Sequence, residues 1–191
     1  MMIYNFGRNL PELVCFDHIS TNKTSESDFI GNIMLDKYEK LILKALQRNG
    51  RASTQELSDV VGLSQSPCWR RVKRLEEDGY IARYSAILNG KKLGLHALAH
   101  VQVSLLDHTE SSIDIFQAFV EKNEQVLECA SITGDFDYIL KVATTDPEAL
   151  EQFITHKLLR LGVVRTTTTI FILRQIKVSG ALPVDMTMAS T

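Results

Sequence analysis

The chain is predicted to be an α+β protein of two modules, three helices with a wing followed by a βαββαβ unit. Three observations carry this. Residues 35–79 hold three apolar stripes at helical spacing, each opened by a capping residue. Residues 97–177 alternate β-branched strands with two helical stretches in split order. The charge also divides: residues 35–95 carry 12 Lys/Arg against 7 Asp/Glu, whereas residues 96–183 carry 7 against 11. A basic block beside an acidic one suits two modules with different partners, the basic one facing a polyanion.

Bulk composition agrees. With 191 residues, 45% hydrophobic and 23% charged, the chain is long enough for two small cores. No apolar run approaches the roughly 20 residues that span a bilayer, and no basic stretch followed by an apolar one marks a secretion signal. Cys15, Cys68 and Cys129 form no close pair, which argues for a reducing cytoplasm and against a disulfide framework or a zinc cluster. No membrane partner is expected.

Residues 1–34 show no sustained period and are expected to be a mobile tail, or an extension ahead of a true start at Met34. From Leu35 to Asn49, Tyr38, Ile42, Ala45 and Leu46 share one helical face. Asp36 and Glu39 stand in capping-box register and Gly50 stops the helix. Ser53 and Glu56 open a second helix, with Leu57, Val60 and Val61 inward and Gly62 at its end. Two residues later Ser64 caps a third, where Pro67 is tolerated in the first turn. Cys68, Val72 and Leu75 make its buried stripe, and Gly79 ends it. Two short helices joined by a tight turn after a longer one make a helix-turn-helix. Residues 80–89 are expected to form a two-strand wing, giving a DNA-binding domain over 35–89. A hinge follows at 90–96.

The second module, 97–183, opens with a strand at 97–106. A helix at 111–122 turns Ile115, Phe116 and Phe119 inward. Strands at 126–133 and 138–145 flank the turn Gly134-Asp135-Phe136-Asp137. Asp146 and Pro147 open a helix running to about Leu161, and a long strand fills 163–177. This is the ferredoxin-like order. Residues 184–191 are expected to be a C-terminal tail.

The third helix is loaded with Trp69, Arg70, Arg71, Lys73 and Arg74. One reading is a solvated face on which Arg71 and Arg74 pair with Glu76, Glu77 and Asp78. The other is a helix lying in a groove of double-stranded DNA. Gln65, Ser66, Trp69 and Arg70 lie off the buried stripe near the helix N-terminus at Ser64, where base edges and phosphates are met. Gln and Arg can read adenine and guanine edges bidentately. Arg71, Lys73 and Arg74 suit phosphate contacts, which position without specifying sequence. The placement after two capped helices and a tight turn favours DNA.

On the stretches 35–53, 56–81, the hinge and 133–142 with its trailing strand, the chain resembles the leucine-responsive regulatory protein/AsnC (Lrp/AsnC) family of transcription regulators. Gln65 stands where proline is frequent in that family. The resemblance implies an N-terminal winged helix-turn-helix, a ferredoxin-like domain that dimerises, assembly of dimers into higher oligomers such as octamers, and an amino acid bound between dimers. It places the 133–138 tip near that effector. An amino acid needs an acid for its ammonium, for which Asp137 or Asp135 serves. It also needs N–H donors for its carboxylate, which the backbone of Thr133 and Gly134 supplies. Tyr138 would close the wall. By itself "GD" is only a turn.

Catalytic chemistry is thin: the histidines do not cluster, and no Walker loop, nucleophile elbow or HExxH is present. No cofactor, metal or enzymatic activity is expected. Two alternatives are an architectural nucleoid protein without effector and an enzyme similar to the sirohaem decarboxylases. The intact basic helix argues against the latter.

Overall fold

The computed structural model describes residues 35–186; the expected tail at 1–34 and Cys15 lie outside it. Helix α1 (Lys37–Arg48) and helix α2 (Thr54–Val61) each begin in a complete capping box, Asp36 with Glu39 and Ser53 with Glu56. Gly62 ends α2 at φ 69°, a left-handed position that glycine adopts without strain. Helix α3 (Gln65–Glu77) follows after a tight turn. Ser64 occupies its N-cap, but its side chain makes no capping bond. The three helices close on Ile42, Leu57, Val61, Cys68 and Leu75, with Tyr38, Ala45, Leu46 and Val72 packed around them. Val60, expected inward, is 65% exposed: it lies at the flank of the α2 stripe, which three helices are too few to cover.

The expected wing forms no strand pair. Residues 82–89 form no regular secondary structure and have no ladder partners, and Ile87 and Leu88 stand exposed. The segment alternates in hydropathy but lacks the Gly or Asn pair that reverses a two-residue hairpin. The hinge holds a short 3-10 turn, Gly90–Leu93, capped by the Asn89 side chain.

The second module is a four-stranded antiparallel sheet in the order β2-β3-β1-β4. Its strands are β1 (Ala97–Leu105), β2 (Val126–Ser131), β3 (Tyr138–Thr144) and β4 (Val164–Phe171). Helix α4 (Glu110–Lys122) and helix α5 (Pro147–Gln152) join them; the latter continues through a wider turn to Leu158 and a tighter one to Leu161. The core is Val101, Val103 and Leu105 from β1, Leu140 and Val142 from β3, and Phe116, Leu150, Phe153 and Leu158 from the helices. Ile115, expected inward, faces out at 43% exposure; Ile113, Phe116, Phe119 and Val120 take the core side. Strand β4 stops at Phe171, short of the expected Lys177. Its ladder partner β1 begins at Ala97, and past Ile172, whose N–H donates to the Leu98 carbonyl, the chain has no strand to pair with. Residues 184–186 are not a free tail: they form a turn whose Val184 is buried.

Candidate nucleic-acid interface and effector tip

Helix α3 presents its basic residues in two sets. Arg71 and Arg74 are tied to α1. The Arg71 guanidinium donates to Asp36 at 3.1 Å and to the Pro67 carbonyl at 3.3 Å, and lies over the Tyr38 ring at 5.4 Å. Arg74 reaches Glu39 at 2.6 Å and Asp78 at 3.7 Å. Glu39 is 1% exposed, and its other oxygen accepts the Asp36 N–H at 2.9 Å. Burial raises the Asp36 carboxyl, but the Glu39 N–H and the Arg71 guanidinium outweigh it and hold the group below its ordinary value. The capping-box acids of α1 thus double as anchors for α3. Of the three local acids considered as partners from sequence, Asp78 alone pairs with Arg74; Asp36 and Glu39 were missed.

The second set faces outward. Ser64, Gln65, Ser66, Trp69, Arg70 and Lys73 are exposed. The Gln65 amide bonds to Gln55 of α2. Lys73 sits 3.5 Å from Glu77 and 5.5 Å above the Trp69 ring. Arg70 makes no ion pair or hydrogen bond among the described residues. Beside this face lies an open cavity of about 470 Å³ lined by Trp69, Val72, Lys73, Glu76, Thr54 and Tyr84. Tyr84 donates to Glu76 at 2.8 Å; burial and that carboxylate push its phenol up to about 12.

The hairpin tip is a built structure. Gly134 sits at φ 123°, where a side chain would be strained. The Ile132 N–H donates to the Asp137 carbonyl at 2.9 Å and the Asp137 N–H to the Val103 carbonyl at 3.0 Å. The Asp137 carboxylate accepts the Leu105 N–H at 2.8 Å and faces the His108 ring at 2.8 Å. Asp137 is therefore already engaged within its own chain, and His108, unnoticed in the sequence, belongs to the tip. Asp135 uses its carbonyl to accept from Ser104 and its side chain is without a partner among the described residues. Thr133 and Gly134 are exposed. Tyr138 stacks on Phe116 at 4.6 Å between ring centroids, turned toward the core.

Burial raises the Asp137 pKa, but His108, the Leu105 N–H and Arg165 outweigh it and lower it. A folded-state value below the unfolded one contributes stability at higher pH that is lost as pH falls through the folded value. Asp137→Asn is therefore expected to cost about 1 kcal/mol at neutral pH. The difference from the parent begins to shrink near the ordinary carboxylate value of about 3.9 and is gone once pH has fallen below the lowered folded-state value. Urea titrations at several pH values check this; a pH-independent difference overturns it.

A three-helix reader with an outward basic helix, joined to a four-stranded α+β module, defines a DNA-binding regulator of two domains. The winged helix-turn-helix DNA-binding family matches residues 35–82, and the Lrp/AsnC ligand binding domain family matches residues 98–182. A proline dehydrogenase transcriptional activator of Rhizobium radiobacter is 40% identical over 146 residues, 76% of this chain and 94% of that protein. The leucine-responsive regulatory protein of Salmonella typhimurium is 40% identical over 148 residues, 78% and 90% of the two chains. Among solved structures, a transcriptional regulator from Neisseria meningitidis in complex with L-Met superposes with TM-score 0.77 at 38% identity, covering 80% of this chain and 98% of that one. The chain belongs to the Lrp/AsnC family of transcriptional regulators. Among the described residues no helix is long and apolar enough to cross a membrane.

Proposed function

We propose that this cytoplasmic regulator reads double-stranded DNA with α3 and senses an amino acid with its second module. The reader spans 35–89 and the sensor 97–183, joined by the hinge 90–96. The observation that carries the DNA reading is the division of the basic residues. Arg71 and Arg74 hold α3 against α1, while Arg70, with Ser64, Gln65, Ser66 and Trp69, faces outward from the helix's N-terminal half. Those five residues meet base edges and sugar-phosphate; Lys73 meets a phosphate by leaving Glu77. Copies of the chain pair as homodimers and assemble further, to octamers, so that several α3 helices line up along one duplex. No catalysis is involved.

The L-Met complex of the Neisseria relative supports an amino-acid effector. At the tip, Thr133 and Gly134 offer backbone donors and Asp135 offers the available carboxylate for the ammonium. Asp137 orients the tip through Leu105 and His108, and Tyr138 backs it through Phe116. Thermal-shift screening of the common amino acids identifies the effector, and titration calorimetry then tests the assignment. Asp135→Asn is expected to weaken binding about tenfold, by loss of a charge-assisted contact. If neither Asp135→Asn nor Asp137→Asn changes affinity, the effector binds elsewhere. If no amino acid binds at all, the architectural reading replaces that of a sensor.

A further inference from the structure

Past β4 the chain does not run off into solvent. Residues 173–181 are exposed and belong to no strand or helix, with bends at Leu173 and Ile176, and the chain then returns to the reader module and lands on α1. The Gln47 side-chain amide donates to the Leu182 carbonyl at 3.2 Å, and the Leu182 N–H donates back to the Gln47 side-chain oxygen. A side-chain amide here takes the place of a neighbouring strand. Val184, whose N–H donates to the Leu182 carbonyl at 2.9 Å, is buried. Asp185 closes the contact on Lys44 at 2.6 Å.

Lys44 and Gln47 lie three residues apart on the side of α1 turned away from Ile42, since five residues of helix rotate through roughly 500°. The core-facing side of α1 is filled by the reader's own apolar cluster, and its N-terminal acids hold Arg71 and Arg74 of α3. A single helix thus stands between the end of the sensor's last strand and the helix that faces DNA.

We infer that residues 172–186 form a strap, a second attachment between the modules, which sets where the sensor holds the DNA-reading helix. A single connector at 82–96 leaves two modules free to reorient; a second attachment removes most of that freedom. Among the described residues the contact includes one buried valine, two hydrogen bonds and one ion pair between partly exposed groups. It is weak enough to open when the sensor rearranges, and the short tether keeps it poised to reform. Such a contact acts as a two-position element that both sites can bias.

The test uses the full chain with Gln47→Ala and Asp185→Ala together. Spin labels are placed on Val60→Cys in α2 and Gln117→Cys in α4, in a Cys15→Ser, Cys129→Ser background. Labelled chains are diluted with an excess of unlabelled ones, so the distance within one chain is read. The parent is expected to give a narrow reader-to-sensor distance distribution and the double variant one at least twice as wide. An unchanged width overturns the strap, whatever DNA does. The second readout rests on the proposed DNA reading: affinity for a duplex that the parent selects from a random library. It is expected to fall about tenfold, while affinity for a random duplex of the same length holds. A wider distribution with unchanged affinity for the selected duplex overturns the coupling. If the parent selects no duplex, the DNA reading fails and the width alone decides the strap.

Discussion

Arg74→Ala is expected to lower the unfolding free energy by about 3 kcal/mol, the largest effect of any substitution on α3's exposed face. The reason is the partner left behind. Glu39 is 1% exposed, with one oxygen on Arg74 at 2.6 Å and the other on the Asp36 N–H at 2.9 Å. Removing the guanidinium takes the charge partner from a carboxylate buried in the seam between α1 and α3. Urea unfolding of the variant measures the cost. Adding Glu39→Gln to Arg74→Ala is expected to recover most of it, because a neutral amide still caps α1 and needs no counter-charge. A loss below about 0.5 kcal/mol is what an ordinary surface position shows and overturns the anchoring role. Under conditions where the variant stays folded, its affinity for DNA should match the parent's within about twofold, which a phosphate-contacting arginine could not do.

Much of this architecture was legible because the signals are local. Two capping boxes and the stripe of Cys68, Val72 and Leu75 place the helices, since a cap and its third residue need only one turn of chain to meet. What sequence pattern missed depends on partners far along the chain. Arg71 and Arg74 find Asp36 and Glu39 across the α1–α3 seam, 35 residues away in each case, where the pattern offered the nearer acids of α3. His108 finds Asp137 because β1 and β3 pair Val103 with Tyr138, bringing the residues after β1 alongside those before β3. Ile115 and Val60 are apolar at helical spacing yet exposed, because the width of a buried stripe is set by what packs on it. The stretch 172–177 reads as strand by composition, but an edge strand ends where its neighbour does.

Arg70→Ala is expected to weaken binding to a selected duplex by roughly 1–3 kcal/mol, about five- to 150-fold, with a smaller loss on random DNA. Arg70 stands in the N-terminal half of α3, on the face that also carries Ser66 and Trp69, and it has no internal partner to leave among the described residues. Its guanidinium is therefore available to a base edge or phosphate at no cost in protein contacts. Lys73 must leave Glu77 and the Trp69 ring, and Gln65 must leave Gln55, before either meets DNA, so alanine at those positions is expected to cost less. Fluorescence anisotropy across a salt series separates the two forms of contact. A base-reading Arg70 loses discrimination on substitution, whereas a phosphate-contacting one loses affinity uniformly, with the salt slope reduced by about one unit. Arg70→Lys sharpens this: lysine keeps the charge but not the two-pronged donor. It is expected to hold random-duplex affinity near the parent's while the preference for the selected duplex falls. If Arg70→Ala binds both duplexes as the parent does, the outward face of α3 is a solvated surface and DNA is read elsewhere on the molecule.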